Sequence, residues 1–578
     1  MTQSSTPPAN QLIQSQRYSA WRLIKLYWQS DQRRYAYGVF AVMVVMTMLL
    51  VVFDVVFSYW YNYFYDSLQA YQKNRALVLL LIFFGMAAVY IVLAVYRYYI
   101  SQLFSLRWRR WLTDQFVNRW LAKRDYYYIE YFDEHTDNPD QRIQEDVGAL
   151  VSGAISLSIG LIGSVTTFLA FIYVLWELSG SLHFYIGSHK IHIHGYLVWV
   201  AVIYSSVGTY LAFKIGKPLI GLNFEQQRRE ATFRFAAIDL RTHAENVALY
   251  QGEAHQKGVL ARLFESVLQN WYAIIVRQKL LLWFTSGYNQ LAVVLPLMVA
   301  LPQYFGKIFK LGGLMQSLRA FSHIQEALSF FVAAYTQLAE WRAVTQRLTT
   351  FLTHLQEAEE NVAHASQLVF TSNKQNEIRV EKMTISTPRG DVLLKNVSEV
   401  FVHGQHYLIK GASGIGKSTF IRAIAGIWPF ALGHISLPQE QGIMYIPQKT
   451  YMPIGTLAEA MAFPAMLSSE PTENLEQALR DCHMDAFISR LNETAVWSEQ
   501  LSPGEQQRLG FARILLQKPD WVFLDESTSM LDLANEAHLY HLLKIKLPHC
   551  SVVSVGHRPS LDSFHDHLVE MSKYDGTL

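Results

Sequence analysis

The nine residues GASGIGKST, 411 to 419, place three glycines, a lysine and three hydroxyls in a stretch with the spacing G-x-x-x-x-G-K-[ST], after a strand-like HYLIK and before a helix-like STFIRAIAG. A phosphate-gripping loop requires that context. Gly411, Gly414 and Gly416 let backbone N–H groups approach phosphates, with Ser413 between them. The helix N-terminus adds its positive dipole, Lys417 reaches toward the β- and γ-phosphates, the Ser418 hydroxyl suits Mg2+, and Thr419 completes the nucleotide-binding stretch. A second stretch, WVFLDE at 521 to 526, is an apolar run ending in two acids. Asp525 suits the magnesium sphere and Glu526 suits a base that orients an attacking water. A buried strand ending in acids at a solvent edge is common, so the pair gains its weight from LSPGEQQR, 501 to 508, just before it.

The residues ahead of this loop are of another kind. A helix needs about 20 apolar residues to cross the hydrocarbon core. Five stretches meet this: 37 to 60, 77 to 96, 150 to 176, 195 to 213 and 280 to 304. A sixth, 311 to 335, is interrupted by Arg319, His323 and Glu326 and reads either as an amphipathic surface helix or as a span with a wet face. Arginine and lysine cluster before the first stretch, after the second and after the fourth, while the alternate loops hold few, so six spans with both termini cytoplasmic are expected. The polar start lacks a signal-peptide core, so the first span is expected to stay as an anchor. From about 341 the text turns polar and helical, then shifts near 376 to short β-type runs. The expected division is a cytoplasmic segment 1–35, a transmembrane domain 36–340, a linker 341–375 and a soluble α/β domain 376–578.

Composition agrees with a membrane chain. Of 578 residues, 51% are apolar and 17% charged. A net charge of +2 with no long basic tract argues against a nucleic-acid surface. The two cysteines, Cys482 and Cys550, fit a reducing compartment and read as core residues.

Taken in order, the C-terminal motifs resemble the ATP-binding cassette (ABC) transporters. LSPGEQQR looks like the family signature, Gln448 in YIPQK like the Q-loop, Ser529-Met530-Leu531-Asp532 like the D-loop and His557 in SVGHR like the switch histidine. In the membrane half LRWRRWLTDQFVNRW, TDNPDQRIQEDV, RREATFRF and LGGLMQSLRAF resemble SbmA/BacA-type permeases, and specifically their ATPase-fused relatives of the YddA type, akin to transporter subfamily D. The resemblance implies a six-helix membrane domain of ABC exporter-like fold followed by an α/β P-loop nucleotide-binding domain, in a bacterial inner membrane. It further implies a half-transporter that hydrolyses ATP with Mg2+ and works as a homodimer, two cassettes sandwiching two ATP. Glu526, His557 and Gln448 would be catalytic, Ser418, Gln448 and Asp525 would hold the metal, and Ser502, Gly504 and Asp532 would complete the nucleotide site. Uptake of bulky polar cargo, such as modified peptides or cobalamin-like molecules, is the implied function. Export of fatty acyl-CoA or lipid-type cargo, and a membrane-anchored ATPase sensor, are the alternatives.

Two departures stand out. The usual L-S-G-G-Q reads L-S-P-G-E, and between Thr371 and Val400 there is no aromatic residue to stack on adenine, STPRGD occupying its place. Weak discrimination between nucleotide bases is therefore expected. In the sixth stretch Gln316, Arg319, His323, Glu326 and Gln337 fall within roughly a 90° arc at about 100° per residue, which marks a cargo pathway or an internal polar network. Asp54 should face the interior or a partner. Asn138, Pro139, Asp140, Gln141, Arg142, Glu145 and Asp146 read as an element docking on the cassette or as a solvated turn. HAENVALYQGE, with Glu245, Gly252 and Glu253, resembles the family's second such element. Histidines 183, 189, 192 and 194 read as metal ligands or as a solvated hairpin.

Overall fold

The computed structural model describes residues 20–132, 139–179, 181–186, 189–439, 441–467 and 471–576. The chain divides into two compact units, one of Met1–Tyr126 with His135–Gln356 and one of Tyr127–Glu134 with Glu357–Leu578.

The first unit is built of long helices. Lipid offers no partner to backbone N–H and C=O groups, so a run of apolar residues there satisfies its backbone internally as helix. Five helices among the described residues are long and apolar enough to cross a membrane, covering Arg33–Gln69, Lys73–Phe132, Pro139–Ser179, Tyr196–Thr242 and Glu253–Phe305. They coincide with the five clear stretches of the sequence. The sixth stretch opens a 55-residue helix, Leu311–Ala365, whose polar residues keep it out of that set. Many apolar side chains of the five are exposed in the single chain, Leu81 by 73% and Trp283 by 76%, as lipid- or partner-facing surface is.

Packing against Leu311–Ala365 is close. The Trp341 indole donates to the Leu150 carbonyl at 2.9 Å, and a Cβ on Gly153 would meet its ring at 2.4 Å. Only glycine admits that approach. Asp146, buried, accepts from Arg347 Nε at 2.9 Å and Nη2 at 2.5 Å, and from Arg142 at 3.2 Å. Asp146 thus ties the start of Val147–Ser179 to Leu311–Ala365 inside this unit.

The second unit is α/β. Five parallel strands lie in the order His567–Glu570, His406–Lys410, Ser551–Val555, Trp521–Asp525, Ile443–Ile446. Side chains alternate between faces of a strand, so Trp521 and Phe523 enter one core with Ile409, Phe420 and Val553 while Val522 and Leu524 enter another with Ile446, Leu509 and Val552. Burial on both faces explains why this strand reads as an unbroken apolar run. A second sheet orders Gln367–Asn373, Ala431–Pro438, Glu377–Ser386 and Val392–Val402. The stretch 341–375 is thus helix to Ala365 followed by a strand paired with Ala431–Pro438.

Tyr127–Phe132, which follows the second span, belongs to this unit. Tyr131 packs edge-on against Trp428 with centroids 5.3 Å apart, Phe132 lies 5.2 Å from Phe430, and the Tyr128 hydroxyl donates to the Gly426 carbonyl at 3.4 Å. An aromatic helical segment is therefore packed on the cassette within this unit. Asn138 lies outside the described residues, and Asp146 is held in the helical unit by Arg347. Aromatic faces bury area on the cassette, whereas the polar run's acid finds its partner on a helix.

Candidate active site

Four segments leave the C-terminal ends of adjacent parallel strands, where α/β sheets place their ligands. Lys410 leads into the phosphate loop, Val555 into His557, Asp525 into Glu526 and Ile446 into Gln448. Residues scattered from Gly411 to His557 converge for that reason alone.

Gly414 and Gly416 have φ of +85° and +108°, a region that side chains strain to adopt, and Gly416 caps the helix Lys417–Ile424. Lys417 is buried, and its Nζ donates to the carbonyls of Gly411 and Ala412 at 2.9 Å each. Burial pushes its ammonium below the ordinary value, with Glu526 and Asp525 acting the other way. Ser418 Oγ donates to Asp525 Oδ1 at 2.8 Å. Burial raises the Asp525 carboxyl, and the Ser418 hydrogen bond opposes it. Gln448 Nε2 donates to Glu526 Oε2 at 2.9 Å, and His557 Nε2 lies 3.5 Å from Oε1. Gln448 and His557 thus flank the one carboxylate suited to orient water. Glu526 has φ +48°, a conformation that costs a non-glycine residue about 1–3 kcal/mol and concentrates at functional sites. Ser413 is exposed on the loop and Thr419 half-buried behind it.

Ser502 begins the signature helix Pro503–Gln517 in a capping box, its backbone N–H and hydroxyl both donating to Glu505 Oε2 at 2.8 Å. Pro503 occupies the first helical position, where a missing N–H costs nothing. A Cβ on Gly504 would lie 3.3 Å from the Met530 carbonyl, so the signature packs directly on the D-loop. Asp532 caps Leu533–Lys546 by accepting from Asn535 N at 2.7 Å.

Residues to which the sequence reading gave no role fasten these pieces. Gln507 donates to the Glu526 carbonyl at 3.3 Å and accepts from Met530 N at 2.9 Å. Arg558 donates to the Ser529 and Leu531 carbonyls at 2.7 Å each. Buried Arg513 donates to the Ala460 and Tyr451 carbonyls, its pKa brought down to about 10 by burial. Charge buried in an apolar context was the available signal, yet nothing in one sequence says which arginine of a helix turns inward. Cys482 and Cys550 are free and buried, their thiols pushed up to about 12 by burial.

At the adenine position the chain makes a tight turn, Thr387 N donating to the Asp391 carbonyl at 2.8 Å. The indole behind it, Trp428, donates to the Ser386 carbonyl and is buried.

The polar stripe of Leu311–Ala365 divides. Gln316 is buried and accepts from Asn62 at 2.5 Å. His323 stacks on Phe171 with centroids 4.1 Å apart. The Arg319 guanidinium lies 4.4 Å over the Tyr61 ring. Glu326 is exposed, 3.8 Å from His323.

Comparison with known proteins follows this layout. Residues 23–305 match the model of ABC transporter transmembrane region 2, and residues 394–529 that of the ABC transporter family. The inner membrane ABC transporter ATP-binding protein YddA of Escherichia coli is 32% identical over 95% of this chain and 96% of its own. The chain belongs to the ABC transporters. This transporter is an ATP hydrolase of the half-transporter type, a membrane region fused to one cassette. It is also similar to the lysosomal cobalamin transporter ABCD4 of Mus musculus, 26% identical over 81% of this chain and 80% of that one. In solved structures it shares the fold of a bacterial Atm1-family ABC exporter with ATP bound, with TM-score 0.66, 16% identity and 94% of each chain covered.

Proposed function

We propose that this transporter works as a homodimer in a bacterial inner membrane, with both termini on the ATP side and six spanning helices, and takes up bulky polar cargo. The observation that carries the dimer is that one chain supplies one phosphate loop and one signature, whereas the family's ATP sites need both from different cassettes. The turn after Tyr196–Thr242 supports it, since Leu249 and Tyr250 are 74% and 87% exposed in the single chain, as apolar residues awaiting a partner are.

The Ser418 hydroxyl, the Asp525 carboxylate and the Gln448 amide are hard oxygen donors of the kind Mg2+ takes. These residues would hold the ion, which would neutralise charge on the phosphate oxygens. The protein's own steps are then clear. Lys417 exchanges two loop carbonyls for phosphate oxygens, and Glu526 exchanges the Gln448 amide for a water that it orients, with His557 beside it.

Polar cargo is favoured by the side chains that Leu311–Ala365 carries through an apolar unit. Gln316, Arg319, His323 and Glu326 would line the pathway, and similarity to a cobalamin transporter over 81% of this chain and 80% of that one agrees in cargo class. Proteoliposomes holding the purified protein test this. Radiolabelled cobalamin or a modified peptide should accumulate in proportion to ATP turnover. Turnover without accumulation favours the sensor, and competition by acyl-CoA favours lipid-type cargo.

A further inference from the structure

Inside the helical unit, a cavity of about 390 Å3 lies between Lys73–Phe132 and Val147–Ser179. One helix brings Arg97, Ser101 and Ser105 to it, and the other brings Ser152 and Ser156. Residues four apart share a helix face, so each row lines the cavity by its spacing. Arg97 directly follows the apolar stretch 77–96, and Ser152 and Ser156 stand in the first turns of 150–176. The cavity thus sits at the end of both spans that the proposed topology gives to the ATP side. A cation at that depth is costly unless it meets water or an anion. Arg97 is half-buried, and its Nε is buried with no hydrogen-bond partner among the described residues. The lining holds no carboxylate, and the acid of the first span, Asp54, has Arg319 as its cation.

Buried donors take acceptors, so this guanidinium is set to receive one from outside the chain. The hydroxyls are placed to help it. Ser156 Oγ accepts from Gln337 Nε2 at 3.1 Å, which leaves its own proton to donate. Ser152 donates to the Ala149 carbonyl at 3.4 Å, a bond at the weak end of the range and readily exchanged. We propose that Arg97, with Ser101, Ser105, Ser152 and Ser156, binds a phosphodiester. One cation matches one negative charge, which a phosphodiester carries and a terminal phosphate exceeds. Hydroxyls arriving from two helices suit oxygens set tetrahedrally around phosphorus, whereas one guanidinium satisfies a planar carboxylate by itself through two parallel bonds. Two kinds of ligand bring a phosphodiester to this depth: a bilayer phospholipid at its headgroup, which basic pockets between spanning helices accept, and cargo joined through such a group, as cobalamin is. The lipid-bound form stands whether or not cargo is taken up.

The test uses the full chain in a maltoside detergent, which carries no phosphate, with fluorescent phosphatidylglycerol as the probe. Arg97→Gln should weaken binding at least about tenfold, the scale of a lost hydrogen bond to a charged group. Arg97→Lys, which keeps the charge, should recover part of it. Ser101→Ala combined with Ser152→Ala should weaken binding about fivefold, and this pair carries the test if thermal unfolding shows that Arg97→Gln no longer folds. Lys214→Gln, an exposed lysine after the fourth span, should leave affinity unchanged. Cyanocobalamin separates the two sources: displacement of the probe that Arg97→Gln abolishes assigns the site to cargo, and absence of displacement assigns it to the bilayer lipid. Equal affinity of Arg97→Gln and the unaltered chain overturns the site. So does equal loss in Lys214→Gln, or dioleoylglycerol, which lacks the phosphodiester, competing as well as unlabelled phosphatidylglycerol.

Discussion

At Ser502 the hydroxyl proton is already committed, donated to the Glu505 carboxylate at 2.8 Å while its oxygen accepts from Glu505 N at 3.4 Å. Phosphate oxygens only accept, so closing the signature on a γ-phosphate requires that proton to turn away from a charged acceptor. Hydrogen bonds to a carboxylate are roughly twice as strong as those to a neutral amide. Glu505→Gln should therefore tighten the ATP-bound dimer by about 1 kcal/mol, roughly fivefold, read as the ATP concentration that half-saturates dimer formation in the Glu526→Gln background. No change would reduce Glu505 to a helix cap. Glu526→Gln itself should lower kcat by about 10²–10⁴ with nucleotide still bound, and Lys417→Ala should weaken binding first. Wild-type turnover by Glu526→Gln would remove the base assignment. Glu526 was legible because an acid pair at a strand end, common by itself, here follows LSPGEQQR and the phosphate loop in order. Arg513 and Arg558 were not, because their role comes from carbonyls that only the folded backbone collects.

Elements show what charge and aromatic area each hold in place. The run from 138 to 146 reads as a docking element or a solvated turn; inside the helical unit its Asp146 pairs with Arg347 and Arg142, while Tyr128, Tyr131 and Phe132 pack on the cassette. Removing Arg347 leaves the buried acid with Arg142 as its remaining arginine partner, so Arg347→Ala should destabilise the detergent-solubilised protein by about 1.5–3 kcal/mol. Asp146→Ala added to it should cost little more, as thermal unfolding would show, whereas a purely coupling role predicts unchanged stability and lost cargo-stimulated turnover. At the turn Thr387–Asp391 the absence of a ring carries its own expectation. Base stacking contributes about 1–3 kcal/mol, so GTP and ATP affinities should lie close together, and a preference for ATP beyond about a hundredfold would reveal a stacking group from elsewhere. Spans were the most legible elements, since length and apolarity alone decide them. The helix Leu311–Ala365 was ambiguous because its polar residues satisfy a wet face and an internal network equally well, and the fold divides them, burying Gln316 and exposing Glu326.

For the whole molecule, sites shared between two chains predict complementation. In a mixed dimer of a Lys417→Ala chain and a Ser502→Ala chain, both defects fall in the same composite site and the other stays intact. Each variant alone should be nearly inactive, and co-expression should restore about a quarter of wild-type ATP turnover, from half the dimers with one of two sites. A chain that hydrolyses ATP alone shows no such rescue. By itself the sequence determined the order of the parts, membrane helices before an ATP-hydrolysing cassette, because apolar run length and the phosphate loop's glycine spacing are local properties that physics reads without the fold. Tertiary structure alone decided which residues meet. Parallel strands bring Gln448, Glu526 and His557 to one sheet edge, Tyr131 and Phe132 pack on Trp428 and Phe430, and Arg347 reaches the buried Asp146. Each of those depends on pairing between residues distant in the chain, which no window of sequence contains.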